Sequence, residues 1–289
     1  ILGLPRDRIR MMPTRTDKVP NTSATAASSG SDLNGAAVAD ACRTLTARLT
    51  PLAAELLGVQ CGATVKEDEI LWQDNAICWS KDETVRIPLA QLTEQAYHQR
   101  ISLSVAGYYK TPLIHWDWAI GKGRPFHYFA FGAAVSEVEI DTASGMMQVR
   151  RVDILHDVGD SLNPGVDRGQ IEGGFVQGLG WLTSEELVWN PEGRLLTHSA
   201  STYQIPAFSN APAEFRVRLL NEAAQPRTIG NSKAVGEPPL MLAFSVREAL
   251  RDAIAACRPS GELISLASPA TSEAIYRAIH PEAFDSGMN

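Results

Sequence analysis

Residues 232–240 read SKAVGEPPL, an acid set between a glycine and two prolines just ahead of an apolar helical run. Glycine costs backbone entropy, proline donates no backbone hydrogen bond, and a carboxylate beside an apolar segment risks desolvation. A stretch that breaks several local rules at once marks a candidate functional site. Pro238 and Pro239 stand where the pattern predicts the first helical positions, the place where proline is best tolerated. Glu237 then lies just before a helix N-terminus, whose positive dipole end favours an ionised carboxylate. A carboxylate held in a fixed, partly desolvated position can serve as a general base, and Gly236 leaves room beside it for a substrate or cofactor. The plainer reading is an acid that only stabilises its helix.

Two further stretches could hold a ligand. Thr25, Ala26, Ala27, Ser28 and Ser29 lead through Gly30 and Ser31 into a helical pattern. Small residues there leave backbone N–H groups uncovered near a helix start, which attracts anionic or polar ligands. A capping loop or linker has the same composition. In PGVDRGQIEGGFVQGLGW (164–181), Gly169, Gly173, Gly174, Gly178 and Gly180 sit among apolar residues at helical spacing. Each interior glycine costs about 1 kcal/mol against alanine, so something must approach this backbone closely. Another helix is one candidate and a planar cofactor the other. Gln170 and Gln177, seven apart, share a face, and a side-chain amide both donates to and accepts from a heterocycle.

Other chemistries lack their patterns. There is no G-x-S-x-G and no H-E-x-x-H, and Gly121-Lys122-Gly123 is a lone glycine pair in a predicted turn. His98, His115, His127, His156, His198 and His280 are too scattered for a local metal site. Cys42, Cys61, Cys78 and Cys257 form no C-x-x-C pair, and their apolar settings point to buried thiols in a reducing, cytoplasmic compartment. The formal charge of −7 gives no footprint for nucleic acid, and no apolar run reaches membrane-spanning length.

The elements that must position these residues are mixed. A strand is expected at 8–13. A helix follows, with Val38, Cys42, Leu45, Leu49, Leu52 and Leu56 as its apolar stripe, Asp32 or Asn34 as N-cap, and a kink or fresh start at Pro51. Two short strands within 60–80, a helix over 89–99 and a strand over 101–107 come next. Strands over 126–140 and 146–156 form a hairpin across Asp141–Gly145. The glycine-rich helix (about 167–183), a hairpin centred on NPEG (190–193), a strand over 214–220 and helices over 239–257 and 272–279 complete the chain. Without repeats or a regular β-α-β beat, the class is α+β. At 44% hydrophobic and 20% charged, the 289 residues suffice for one large domain or two smaller ones. The opening ILGLPRDRIRMMPTRTDKVP has no signal-peptide core or initiator Met, and reads as the middle of a connection that something precedes.

VPNTSATAAS, GRPFHYFAFGAAVSEVEID, VRRVDILHDVGDSLNP, GQIEGGFVQGLGWLT, STYQIPAF and SKAVGEPPLMLAFSVREALRDAI, in this order, resemble the C-terminal part of the molybdenum-binding subunit in the xanthine dehydrogenase family of molybdenum hydroxylases. The similarity runs from about Ile1 to Ser268 and weakens between Leu57 and Glu94. It implies that 1–289 is the C-terminal portion of a molybdopterin-binding domain, in one or two α+β lobes. The metal would be held by the pterin dithiolene rather than by side chains. Glu237, in the GEPP motif, would take a proton as a water-derived oxygen is delivered to an electron-poor ring carbon, converting hypoxanthine or xanthine to urate. Electrons would leave toward 2Fe-2S centres, FAD and NAD. Thr25–Ser29 would pass under metal and pterin, with the Ala27 backbone nearest the molybdenum, and Gln170 would bond the pterin. At Gly30 the chain departs from relatives with serine, which removes a hydroxyl contact there. The implied partners are an upstream part of the molybdenum subunit, which supplies the residues that orient the purine, an iron–sulfur/FAD subunit or domain, and a second copy of the whole assembly. By this resemblance the chain does not turn over alone. An aldehyde oxidase-type hydroxylase and a non-catalytic structural module are the competing readings.

Overall fold

A computed structural model describes residues 1–18, 25–259 and 261–285. The chain divides into two compact units, Ile1–Pro125 and Phe126–Asn289.

In the first unit a long helix, α1 (Gly35–Cys61), lies on a three-stranded antiparallel sheet of β1 (Ile70–Gln73), β2 (Ala76–Trp79) and β3 (Asp82–Pro88). Asp74 and Asn75 both adopt positive φ, the two-residue turn that matches strand twist and joins β1 to β2. β3 was not expected: SKDETVRIP is too charged to read as a strand, and only Ile87 on it is buried. The helix α2 (Leu89–His98) closes the core, in which Leu49, Leu52, Ala53 and Leu57 of α1 meet Ile77, Ile87, Leu92 and Ala96. The apolar stripe of α1 is therefore shifted from the expected one, and Val38 is 63% exposed. Pro51 lies inside an unbroken helix, where the Thr50 hydroxyl donates back to the Thr46 carbonyl at 2.7 Å. Asn34 occupies the N-cap position without a side-chain cap bond, and Asp32 sits within a preceding π-turn, Gly30–Asn34.

Two strands expected in the first unit do not form. Residues 9–13 carry no regular structure after a short 3-10 turn at Arg6–Arg8. Residues 101–107 run beside α1 instead, because side chains of α1 satisfy their backbone. Arg48 donates to the carbonyls of Ser102 (2.7 Å) and Ser104 (3.1 Å), and the Tyr108 N–H donates to Asp40. A short antiparallel pair, β4 (His115–Asp117) and β5 (Lys122–Arg124), ends the unit.

The second unit is built on β6 (Gly132–Ile140), β7 (Met147–His156) and β8 (Glu214–Leu219). β6 and β7 form the expected antiparallel hairpin, although 126–131 stay irregular ahead of β6. β8 pairs with β7 in parallel, from Arg151 opposite Glu214 to His156 opposite Leu219. Parallel neighbours need a crossover, and α3 (Pro164–Thr183) lies within it, so the chain does contain one β-α-β unit. The NPEG segment gives a single bridge, Trp189–Leu195, rather than two paired strands. Ile171, Phe175 and Leu179 of α3 pack with Val152, Ile154 and Val217 of the sheet. Val246, Leu250 and Ile254 of α4 (Phe244–Ala256) join them, with Ile275 and Ile279 of α5 (Ser272–Ile279). Among the described residues no helix is long and apolar enough to cross a membrane.

Candidate cofactor and proton-transfer site

The two prolines set the local geometry around Glu237. With no N–H on Pro238 or Pro239, the helix expected from 239 opens as a 3-10 turn, Pro238–Ala243, and becomes α-helical only at Phe244. Glu237 takes the N-cap position of that turn, and its carbonyl accepts the Leu240 N–H at 3.1 Å. This corrects the dipole argument. Aligned helix dipoles act within the first turn, and α4 begins seven residues beyond Glu237. The Glu237 side chain is also exposed rather than partly desolvated in this chain.

The glycines of α3 explain how this turn is held. Gly174 faces the Gly236 carbonyl and Pro239, each 3.2 Å from where a Cβ would stand. At Gly178 a Cβ would run into the Leu240 carbonyl and lie 2.9 Å from the Ala243 Cβ. Gly178 is needed for backbone to approach backbone and Gly174 sits tightly against the same segment, the helix-packing reading of this motif. Gly169 and Gly173 are different: a Cβ at either meets nothing within 4 Å. They share an exposed face with Gln170 and Gln177. One face of α3 thus packs on the segment that carries Glu237. The neighbouring face stays open, smooth and amide-bearing, fit for a flat heteroatom-rich ligand. Gln170 and Gly174 are one helical turn apart, so the exposed amide and the Glu237 segment are brought together.

The Thr25–Ser29 loop belongs to the first unit. Its motif starts at Val19, and residues 19–24 lie outside the described residues. Ala27 adopts φ 66°, a left-handed conformation that costs an alanine about 1 kcal/mol. Strained non-glycine residues of this kind cluster at ligand sites. The Ala27 carbonyl accepts the Ser29 N–H at 3.0 Å, and Ser29 accepts Leu33 N–H at 2.9 Å to start the π-turn. Thr25, Ala26 and Ala27 are exposed, whereas Ser28 and Ser29 are half-buried. Among the described residues no group of three or more His, Cys, Asp or Glu is placed to hold a metal.

Sequence reasoning missed the residues that anchor the approach to Glu237. Asp157 follows the last residue of β7 and is 2% exposed; its carboxylate pairs with the ammonium of Lys233, 9% exposed. Beside them the His156 ring is buried, and burial holds its imidazole below the usual value, against an opposing hydrogen bond to the Asp157 carbonyl. The only signals were a lone lysine in SKAVG and a lone aspartate in LHDVG, 76 residues apart.

The model of the molybdopterin cofactor-binding domain matches residues 1–212, and the chain belongs to that family. It is a molybdopterin cofactor-binding domain, and its α+β fold is shared with solved oxidoreductases. Quinoline 2-oxidoreductase from Pseudomonas putida 86 superposes with a TM-score of 0.70 at 25% identity, over 89% of this chain and 30% of that one. The Cu,Mo-CO dehydrogenase gives 0.75 over 97% of this chain and 33% of that one, at 22% identity, a likeness of fold. Among curated proteins, xanthine dehydrogenase/oxidase of Mus musculus is 45% identical over 283 residues, 96% of this chain. Xanthine dehydrogenase of Dictyostelium discoideum is 44% identical over 279 residues, 94% of this chain. The chain spans about a fifth of the length of these relatives, 19% and 18% respectively. The open face of α3 and its exposed amides fit the pterin that the family binds.

Proposed function

We propose that this chain is the part of a xanthine dehydrogenase that holds one side of the molybdenum–pterin group and supplies the catalytic base. In this reading the whole enzyme hydroxylates hypoxanthine and xanthine to urate in the cytoplasm. Electrons pass to 2Fe-2S centres, FAD and finally NAD, all held outside this chain, in an assembly that pairs as a dimer. When bound, the molybdenum–pterin group supplies the two-electron oxidation and delivers the oxygen derived from water.

The chain's own residues do the rest. Gln170 donates to and accepts from the pterin edge along the open face of α3, while Gly169 and Gly173 let the ring system approach the helix. Thr25–Ser29 would contribute small side chains to the cofactor site, with the Ala27 backbone on the side of the metal. Glu237 would take up the proton given up by the water-derived oxygen and release it to solvent before the next turnover. Its carboxylate is exposed in this chain, so its desolvation falls to the parts of the enzyme outside it.

One observation supports this reading: the Gly236–Pro239 segment docks on Gly174 of α3, one turn from Gln170. The test is Glu237→Gln in the full-length enzyme. Loss of a general base costs about 10²- to 10⁴-fold in turnover of xanthine, with molybdenum content retained. A loss below about threefold at full molybdenum content refutes the role of Glu237 and favours a structural module. Turnover of aldehydes in place of purines would redirect the substrate assignment.

A further inference from the structure

We propose that the buried Asp157–Lys233 ion pair is the positioning device for Glu237, an inference that rests on the reading of Glu237 as the base. A base must be held to a fraction of an ångström, yet residues 233–237 form neither helix nor strand. One side of the turn that follows is fixed by the glycines of α3. The other anchor lies four residues upstream of Glu237, where the Lys233 side chain leaves solvent and reaches the carboxylate of Asp157. The lysine ammonium also donates to the Phe129 carbonyl at 3.1 Å and lies 5.6 Å from the centre of the Phe131 ring. Asp157 is itself immobilised: it accepts the Gly159 N–H at 2.9 Å, and its own N–H donates to the Phe131 carbonyl at 2.8 Å. Two backbone contacts fix the same short stretch. Lys233 N–H donates to the Val158 carbonyl at 2.7 Å, and Ala234 N–H donates to the Tyr128 hydroxyl at 2.8 Å.

A pair this buried is a poor source of net stability, because desolvating two charges offsets their attraction, and an apolar replacement is often as stable. Its value here is geometric. It fastens the strand-less approach to Glu237 onto the end of β7, the central strand of the sheet. Asp157 and Lys233 are thus positioning residues acting through Glu237.

The experiment uses the full-length enzyme, with Lys233→Met, the charge-neutral double variant Asp157→Asn/Lys233→Met, and Glu237→Gln as reference. Molybdenum content, kcat and KM for xanthine, and hydrogen exchange of backbone amides are measured on each. The single variant leaves an aspartate buried without its partner and can fail to fold, so the double variant decides. Its amides at 234–237 should exchange at least about tenfold faster while those of β6–β8 are unchanged, and its kcat should fall about 10- to 100-fold with KM within threefold. Unchanged exchange at 234–237, or kcat within threefold of wild type at full molybdenum content, overturns the proposal. A double variant that loses its fold or molybdenum also overturns it, since the pair would then be a general structural element. If Glu237→Gln keeps wild-type turnover, the base assignment fails, whereas the exchange data still report whether the pair holds this segment.

Discussion

Two alanine substitutions in α3, five residues apart, are expected to move stability in opposite directions. Gly173 is an exposed helix-interior glycine with open space where a Cβ would stand, so Gly173→Ala gains about 1 kcal/mol of helix propensity. Gly178→Ala makes the same propensity gain, but its Cβ lands on the Leu240 carbonyl and 2.9 Å from the Ala243 Cβ. Neither neighbour is the flexible end of a side chain. Overpacking of this kind costs about 1–3 kcal/mol, and a backbone obstacle puts the cost near the top of that range, for a net loss of about 2 kcal/mol. Urea denaturation at 25 °C reads both changes. With a slope of about 2 kcal/mol/M, the midpoint rises by about 0.5 M for Gly173→Ala and falls by about 1 M for Gly178→Ala. Midpoints that rise together would refute the packing account of this helix. In the full-length enzyme the pair also separates function: Gly173→Ala should lower pterin content by adding a methyl to the ligand face. Gly178→Ala should instead lower kcat by displacing the turn after Glu237.

Ala27→Gly should stabilise the first unit by about 1 kcal/mol by relieving its left-handed strain, and Ala27→Val should destabilise it; urea midpoints measure both. Glu69 is held down from 4.5 to about 2 by the Lys81 ammonium, the Trp79 indole N–H and the Lys66 N–H. A depressed carboxylate contributes stability above its unfolded value, so this contribution disappears as pH falls from about 4.5 toward 2. Glu69→Gln should flatten the dependence of the urea midpoint over that range. His156 is displaced downward from 6.5 by burial, so the unfolded chain binds a proton there before the folded one does. Stability of the second unit should be full above about pH 6.5 and decline as pH falls below it, a trend that His156→Gln should reduce.

Local pattern was enough for elements whose information is local. Apolar residues at helical spacing identified α3 from about 167 to 183, three residues short of its start, a helix was expected where α5 lies, and alternation about the Asp141–Gly145 turn identified the β6–β7 hairpin. SKAVGEPPL stood out because glycine, an acid and paired proline each break a local rule. Residues 101–107 looked like a strand by composition, but their carbonyls found Arg48 of α1, a partner more than fifty residues away. The α3 glycines were visible as an anomaly, yet only packing could divide the five into Gly174 and Gly178, which meet the segment around and after Glu237, Gly180, which meets Glu185 and Pro206, and Gly169 and Gly173, which face open space. The parallel register of β8 and the Asp157–Lys233 pair likewise depend on contacts across dozens of residues. Backbone propensity and periodicity act over a few neighbours and are written into the chain. Burial of a charge, or the room beside a glycine, is a property of whatever segment the fold brings against it.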